Sequence, residues 1–152
     1  MKTIIEDSRQ KAEKHETKHR FFDSFHINVV RSKLAFGDYA LPPAVAVDTK
    51  QNIQEIAGNM CGSAKEKKRF REECKLARDC GSKLIILIED ERVGSVEDLY
   101  GQSIWLMSGH PIRGDQLAKA MAVMHERYGV DFLFCAPEDS GETIMKLLER
   151  YK

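Results

Sequence analysis

The sequence predicts an α/β fold in which helices flank a mixed central sheet. Apolar segments alternate with helix-like patterns along the chain, which is typical of a single α/β domain. Lys83–Ile88 (KLIILI) is continuously apolar, as expected of a strand that is buried on both faces and is therefore central and parallel. The chain has 152 residues, 42% of them hydrophobic, so one core can be stable without a disulfide or a structural metal. We therefore predict a single domain over residues 1–152.

Local patterns predict the elements of the first half. A short β-branched run opens the chain, a charged segment then repeats its aromatic residues at helical spacing, and Pro42 and Pro43 interrupt the strands that follow. The predicted order is a strand, a helix and three strands: Thr3–Glu6, Lys11–Phe25, His26–Val30, Leu34–Tyr39 and Ala44–Lys50.

The second half alternates helices with strands. Apolar residues recur three and four apart in four segments, which are predicted to be helical. Asp131–Cys135 (DFLFC) is the last predicted strand, and Asp139 and Glu142 are suited to cap the final helix. Residues 100–113 are predicted to form a loop that carries Trp105. The four helices are expected around these stripes: Ile53–Met60, Lys65–Cys80, Leu117–Tyr128 and Ile144–Tyr151.

Charge and cysteine content restrict the function classes. The 24 Lys and Arg residues equal the 24 Asp and Glu residues, which excludes a generally basic nucleic-acid binder but allows one basic face. The four cysteines form no CxxC pair, so we expect reduced thiols in a cytoplasmic protein. No apolar run reaches the ~18–20 residues of a membrane span, and the acidic start is unlike a signal peptide. We therefore expect no membrane association.

Charged side chains end a strand that is otherwise apolar. Alternate residues of Ala44–Lys50 (AVAVDTK) share a face, so Asp48 and Lys50 point the same way. Asp38 ends another predicted strand, ten residues before Asp48. Two carboxylates are suitable ligands for Mg²⁺, and a nearby lysine can stabilise charge during phosphodiester hydrolysis. The alternative is an Asp–Lys surface pair without function, worth about 0–1 kcal/mol.

Four stretches resemble the nuclease domain of the XPF family, the structure-specific DNA endonucleases within the broader PD-(D/E)xK group. They are IIEDSRQK (4–11), KLAFGDYAL (33–41), VDTKQNIQE (47–55) and KLIILIED (83–90). The resemblance implies a restriction-endonuclease-like fold and a Mg²⁺-dependent DNA endonuclease of repair or recombination, which can be structure-selective. Mn²⁺ is expected to substitute for Mg²⁺. Because no helix-hairpin-helix module follows, the chain is expected to resemble stand-alone bacterial or phage members.

The resemblance assigns roles to individual residues. Asp38 and Asp48 match the metal-binding carboxylates, Thr49 is expected to offer its backbone carbonyl to the metal, and Lys50 matches the catalytic lysine. Asp7 matches the acid of the first motif and is expected to be an outer member of the catalytic site.

Further positions are expected to complete the site or to contact DNA. The family's last acid falls on Gln54 here, and we expect the neighbouring Glu55 to take its catalytic role. Arg9 matches a basic residue that meets phosphate. The run KEKKRFR is either a solvated helix face or a contact for DNA phosphates. Its expected DNA-binding residues are Lys67, Lys68 and Arg69.

Two rival functions stay open from the sequence. One is a catalytically inactive nuclease-fold subunit that binds DNA or acts as a scaffold, and the other is an unrelated α/β binding domain. The resemblance also implies a homodimer formed through the C-terminal helices. His15 and His19 are spaced to clip a metal, but we expect them on a solvated helix face.

Overall fold

The computed structural model describes residues 2–152, in which two layers of helices cover the two faces of a sheet. The strands are β1 (Thr3–Asp7), β2 (Asn28–Ser32), β3 (Tyr39–Leu41), β4 (Val45–Lys50), β5 (Lys83–Ile88), β6 (Ser103–Trp105), β7 (Pro111–Arg113) and β8 (Asp131–Phe134). The helices are α1 (Glu16–Ser24), α2 (Ile53–Cys61), α3 (Ala64–Asp79), α4 (Gly114–Tyr128) and α5 (Ser140–Tyr151).

The six-stranded sheet is mixed, as predicted. Its order is β2-β1-β3-β4-β5-β8, and β6 pairs with β7 in a separate hairpin. β5 lies parallel to both β4 and β8, whereas β3 runs antiparallel to β1 and β4. The continuously apolar segment is therefore an interior parallel strand with the bounds expected from the sequence.

Alternating burial explains why β5 is apolar throughout. Leu84, Ile86 and Ile88 pack into the cluster formed with α2, α3 and α4, while Ile85 and Leu87 join the cluster beneath α1 and α5. Both sets are essentially inaccessible to solvent. Because parallel strands covered by helices expose neither face, every position of β5 favours an apolar side chain.

The predicted strand Leu34–Tyr39 is wrong in its bounds. Pairing begins only at Tyr39, and the chain before it turns through Gly37, whose φ is +77°. A Cβ at Gly37 would lie 2.9 Å from the Ala46 Cβ, so this turn against β4 requires glycine. The turn places Asp38 immediately before β3 instead of at the end of a strand.

The N-terminal helix is shorter than predicted, and the strand after it is displaced by two residues. Lys11–Phe25 divides into a single 3₁₀ turn at Ala12–Lys14 and the helix α1. The next strand starts at Asn28, because His26 takes a positive φ of 54°. The expectation that His15 lies on a solvated face is wrong, since this side chain is buried.

The C-terminal third corrects two expectations. Residues 100–113 contain the β6–β7 hairpin, not an irregular loop. Asp139 stands at the start of α5, but no side-chain capping hydrogen bond is made there. The apolar stripe of α5 belongs largely to the core, with Ile144 and Leu148 fully buried. None of the helices in residues 2–152 is long and apolar enough to cross a bilayer.

Candidate active site

Asp38 and Asp48 are brought together by the pairing of the Gly37 turn with β4. The Asp38 backbone N–H donates to the Val47 carbonyl at 2.8 Å. Asp38 Oδ2 accepts hydrogen bonds from the Thr49 N–H at 2.8 Å and from the Thr49 hydroxyl at 2.7 Å. Both aspartates are more than nine-tenths buried. The structure therefore brings together two acids from separate segments, and both line the same clefts.

Lys50 shares a face with Asp48, as the strand period requires. Its Nζ lies 3.0 Å from Asp48 Oδ2. Burial opposes the lysine charge, but the carboxylates of Asp48, Glu73 and Glu55 outweigh it and raise the pKa of Lys50 above its usual value. Lys50 is therefore a permanent cation at neutral pH, suited to electrostatic stabilisation and unsuited to acting as a general base.

The two aspartates crowd negative charge into a buried place. Burial, followed by the charge of Asp48, raises the pKa of Asp38 well above its usual range. Asp48 Oδ2 is buried and, apart from its ion pair with Lys50, accepts no hydrogen bond from residues 2–152. Carboxylates with too little compensating charge favour an added cation.

Glu73 is an acid of the site that the sequence did not indicate. It projects from α3, and its Oε1 accepts a hydrogen bond from the Gly37 N–H at 3.1 Å. Burial and the charge of Asp48 raise the pKa of Glu73. Glu73 follows Phe70 by three residues on α3 and precedes buried Cys74, so it borders the core stripe. An acid at the border of a core stripe was the only indication in the sequence that Glu73 is partly buried. It does not indicate that Glu73 contacts the Gly37 turn.

Two clefts flank the aspartate pair. The outer cleft, about 390 Å³, is lined by both aspartates and by charged residues of β1 and α3: Asp7, Arg9, Arg69, Glu72 and Glu73. The inner cleft, about 190 Å³, is lined by both aspartates and by polar residues from the α1 region and from the ends of β4 and β5 and the start of α2: Gln10, Lys14, His15, Lys18, Lys50, Glu55 and Glu89. The pair is therefore accessible from two sides.

The inner cleft has a buried ion pair that the sequence did not indicate. Lys18 Nζ of α1 lies 2.5 Å from Glu89 Oε1, and both side chains are more than nine-tenths buried. Glu89 directly follows β5, and its N–H donates to the Lys50 carbonyl at 2.8 Å. A buried pair of this kind is costly to break, because either partner alone would be an uncompensated charge.

Asp7 and Arg9 hold the segment that leads into the Gly37 turn. Asp7 Oδ1 accepts from the Leu34 N–H at 3.0 Å, and Arg9 Nη2 donates to the Leu34 carbonyl at 2.7 Å. Arg9 Nε also lies 3.1 Å from Asp7 Oδ2. Asp7 thus lies beside the aspartate pair with its oxygens bonded to protein groups, and the half-exposed Arg9 borders the outer cleft.

Glu55 lies close to Lys50, whereas Gln54 is held elsewhere. Glu55 Oε2 accepts from the Gln51 N–H at 2.9 Å, and the Glu55 N–H donates to the capping side chain of Asn52. Gln54 Oε1 accepts from Arg92 at 3.1 Å. The structure therefore brings Glu55 into the inner cleft as part of the first turn of α2.

The three predicted DNA-binding cations of α3 separate in the structure. Arg69 lines the outer cleft. Lys67 lies in a different groove, between α3 and α4, and Lys68 stands on the exposed surface 4.0 Å from Glu72. A helix turns by about 100° per residue, so three consecutive residues cannot share one face.

The donor set suits a divalent cation that retains some of its water. No three His, Cys, Asp or Glu side chains in the described part of the chain converge as a complete metal cage. Mg²⁺ does not need one, since it keeps several waters and uses one or two carboxylates together with substrate phosphates. Asp38 and Asp48 fit that partial set.

Comparisons with known proteins identify the family and the fold of the chain. The family model of the ERCC4 domain matches residues 6–147. Two structures of XPF from Aeropyrum pernix, one in complex with DNA, are similar to this chain with TM-scores of 0.70 and 0.67 at 18% identity. They cover 99% and 97% of this chain, which spans 64% of theirs. No curated protein matches in sequence. The XPF-family resemblance and the restriction-endonuclease-like fold are confirmed.

Proposed function

Because the chain belongs to the ERCC4 domain family, which supports a nuclease-type DNA-processing function, we propose that it is a metal-dependent DNA endonuclease. The observation that carries the proposal is the buried Asp38–Asp48 pair with Lys50 beside it. Burying like charges together is costly unless a cation is bound there. A structural role alone gives no reason for that arrangement.

Asp38 and Asp48 would hold Mg²⁺, or Mn²⁺ in its place, with the Thr49 backbone carbonyl as a further ligand. When bound, the ion polarises a phosphodiester and lowers the pKa of a coordinated water. Thr49 has a second role, because its N–H and hydroxyl both bond to Asp38 Oδ2 and fix that carboxylate. Thr49 therefore orients one ligand from the strand that carries the other.

Lys50 supplies positive charge where negative charge develops on the phosphate. Its ammonium is held by Asp48 at 3.0 Å and is mostly buried, so it is already oriented before substrate arrives. Preorganised charge of this kind acts mainly on the transition state. Asp7, Glu55 and Glu73 surround this centre, and we assign them to orienting water and the Gly37 turn.

DNA would enter from the outer cleft. Arg9 and Arg69 border that cleft and can neutralise phosphates on either side of the scissile bond. Lys67 and Lys68 would contribute weaker contacts from the flanks of α3. One of the similar A. pernix structures is a complex with DNA, which supports DNA as the partner.

Two parts of the proposal rest on the sequence. Homodimerisation through the C-terminal helices follows from the family resemblance and would need surfaces other than the buried α5 stripe. A cytoplasmic location is in keeping with four free cysteines: Cys61, Cys74, Cys80 and Cys135. Sedimentation at tens of micromolar tests the dimer, since a monomer mass would count against it.

A plasmid-nicking assay tests the function directly. Wild type should cut DNA with Mg²⁺ or Mn²⁺ and stop when a chelator is added, while an Asp48→Asn variant with normal melting should be inactive. DNA binding without metal-dependent cutting would instead favour the inactive scaffold subunit. Neither cutting nor DNA binding would favour an unrelated binding domain.

A further inference from the structure

A chain of hydrogen-bonded side chains runs from the core to Asp38. The Tyr39 hydroxyl lies 2.7 Å from His15 Nδ1, and His15 Nε2 lies 2.8 Å from Gln10 Oε1. Gln10 Nε2 then donates to Asp38 Oδ1. Gln10 and His15 lie in the connection between β1 and α1, whereas Asp38 and Tyr39 lie at the start of β3. The fold, not local sequence, therefore assembles the chain.

The donors in this chain can be assigned in one consistent direction. Gln10 presents its amide nitrogen to Asp38 Oδ1 and its oxygen to His15 Nε2. This is the arrangement that Asp38 requires when a bound cation keeps it ionised, because a carboxylate only accepts. His15 therefore carries its proton on Nε2, and Nδ1 accepts from the Tyr39 hydroxyl. Burial, followed by the nearby Lys18, lowers the pKa of His15 to about 4, so the ring is neutral at physiological pH.

Packing fixes the chain at its inner end. Tyr39 is fully buried, His15 is 4% exposed, and their ring centroids lie 5.6 Å apart. Phe22 also packs edge-on against Tyr39, with ring centroids 5.6 Å apart. Buried polar groups are costly unless they are bonded, and here each of the ring nitrogens and the phenol has a partner. The packing therefore fixes the position of His15 Nε2, which donates to the Gln10 amide oxygen.

We propose that His15 is a positioning residue that sets the orientation of Asp38 through Gln10, with Tyr39 selecting the histidine tautomer. Asp38 is thereby held on both oxygens, by Gln10 on Oδ1 and by Thr49 on Oδ2. The inference rests on the proposed function, since it concerns Asp38 as a metal-binding carboxylate. Partners of this kind, one residue behind a ligand, typically change metal affinity or activity by about 10–100-fold.

The test compares His15→Phe with His15→Gln. Phenylalanine keeps a buried ring but loses both nitrogens, whereas glutamine can place an amide donor near Gln10. We expect His15→Phe to weaken Mn²⁺ binding, measured by electron paramagnetic resonance, and Mg²⁺-dependent cutting, each by about 10-fold. His15→Gln should restore most of both. His125→Phe, the same substitution on α4 outside both clefts, is the control and should bind Mn²⁺ like wild type.

The outcomes separate this inference from the proposed function. If wild type cuts DNA but a normally melting His15→Phe variant binds Mn²⁺ and cuts equally well, the positioning role is overturned. If wild type neither binds Mn²⁺ nor cuts, the proposed function itself fails. Should His15→Phe not fold, Tyr39→Phe decides, because it removes only the hydroxyl that selects the tautomer. Weaker Mn²⁺ binding by Tyr39→Phe supports the inference, and unchanged binding overturns it.

Discussion

Asp38 and Asp90 are both buried carboxylates next to strand ends, yet their environments are opposite. Asp90 accepts hydrogen bonds from the Arg92 side chain at 2.7 and 2.9 Å and from the Ile53 N–H at 3.0 Å. The hydrogen bonds from Arg92 lower the pKa of Asp90 to about 2. The Arg92 N–H donates a fourth hydrogen bond to Asp90 at 3.1 Å. Asp38 accepts three, nearly as many, but burial and the carboxylate of Asp48 raise its pKa.

The difference lies in charge, not in the number of hydrogen bonds. Asp90 faces a guanidinium and ties the end of β5 to the start of α2, so its charge is compensated within the chain. Asp38 faces another acid, and its compensation must come partly from outside. A buried acid that lacks enough internal countercharge is therefore the better candidate for a functional group.

The largest expected effect concerns Lys50, the internal cation of the Asp38 region. Lys50→Ala should lower the cutting rate by about 10²–10³-fold, because it removes preorganised charge at the transition state. DNA binding with Ca²⁺ in place of Mg²⁺ should change only modestly, since affinity rests on many phosphate contacts. Nicking, DNA binding and melting would be measured on one preparation. Lys75→Ala, on the exposed surface of α3, is the control. Cutting at near wild-type rate by Lys50→Ala would contradict the catalytic role assigned to Lys50.

Asp90→Asn should show the opposite pattern, with stability affected and chemistry preserved. Losing the charge weakens the bonds to Arg92 and to the α2 N-terminus, which should lower the free energy of unfolding by about 1–3 kcal/mol. Denaturant unfolding measures that change. At temperatures where the variant is folded, its cutting rate per molecule should match wild type, and a selective loss of cutting would erase the distinction between the two acids.

The pH dependence of stability should also differ between the two acids. A raised folded-state pKa means that the stability linked to protonated Asp38 is present below its ordinary pKa of about 3.9 and is lost as the pH rises through the folded value. Metal-free protein should therefore lose stability across this range, and Asp38→Asn should flatten the slope. Asp90 contributes stability above pH ~4 that is lost as the pH falls toward 2. Melting of both single variants against wild type from pH 3 to about 8 measures the two slopes.

The smallest effect distinguishes Arg69 from Lys67 on α3. Arg69 lines the outer cleft and Lys67 the α3–α4 groove, so Arg69→Ala should weaken DNA binding more. One lost phosphate contact should reduce the slope of log K against log salt by about 0.9. Salt titrations of both variants provide the measurement, and equal slopes would show that the two grooves contribute alike.

The sequence predicted the parts of the site that depend on a fixed local period. Asp48 and Lys50 are two residues apart on a strand, so their shared face needed no tertiary information. Glu73 could not be found in this way, because its bond to Gly37 spans 36 residues and depends on how α3 packs. His15 was misplaced for a similar reason, since its helix-like spacing hid the buried bond to Tyr39.

The same limit applies to the fold, where local sequence patterns predicted strands better than turns. The apolar run of β5 correctly predicted an interior parallel strand, because both faces had to be covered. The expected central position was wrong, since β5 lies next to the edge strand β8. The start of β3 was missed because a left-handed Gly37 interrupts a pattern that looks extended. The sequence could not show which of the consecutive cations in KEKKRFR line the outer cleft, because that depends on the orientation of α3.

The most direct measurement is a calorimetric titration of Mn²⁺ into three proteins: wild type, an Asp38→Asn/Asp48→Asn double variant and Asp90→Asn. If the crowded acids form the metal centre, wild type and Asp90→Asn should bind Mn²⁺ alike. The double variant should show no binding while melting at or above the metal-free wild-type temperature. Equal Mn²⁺ binding by the double variant and wild type would contradict the assignment of Asp38 and Asp48.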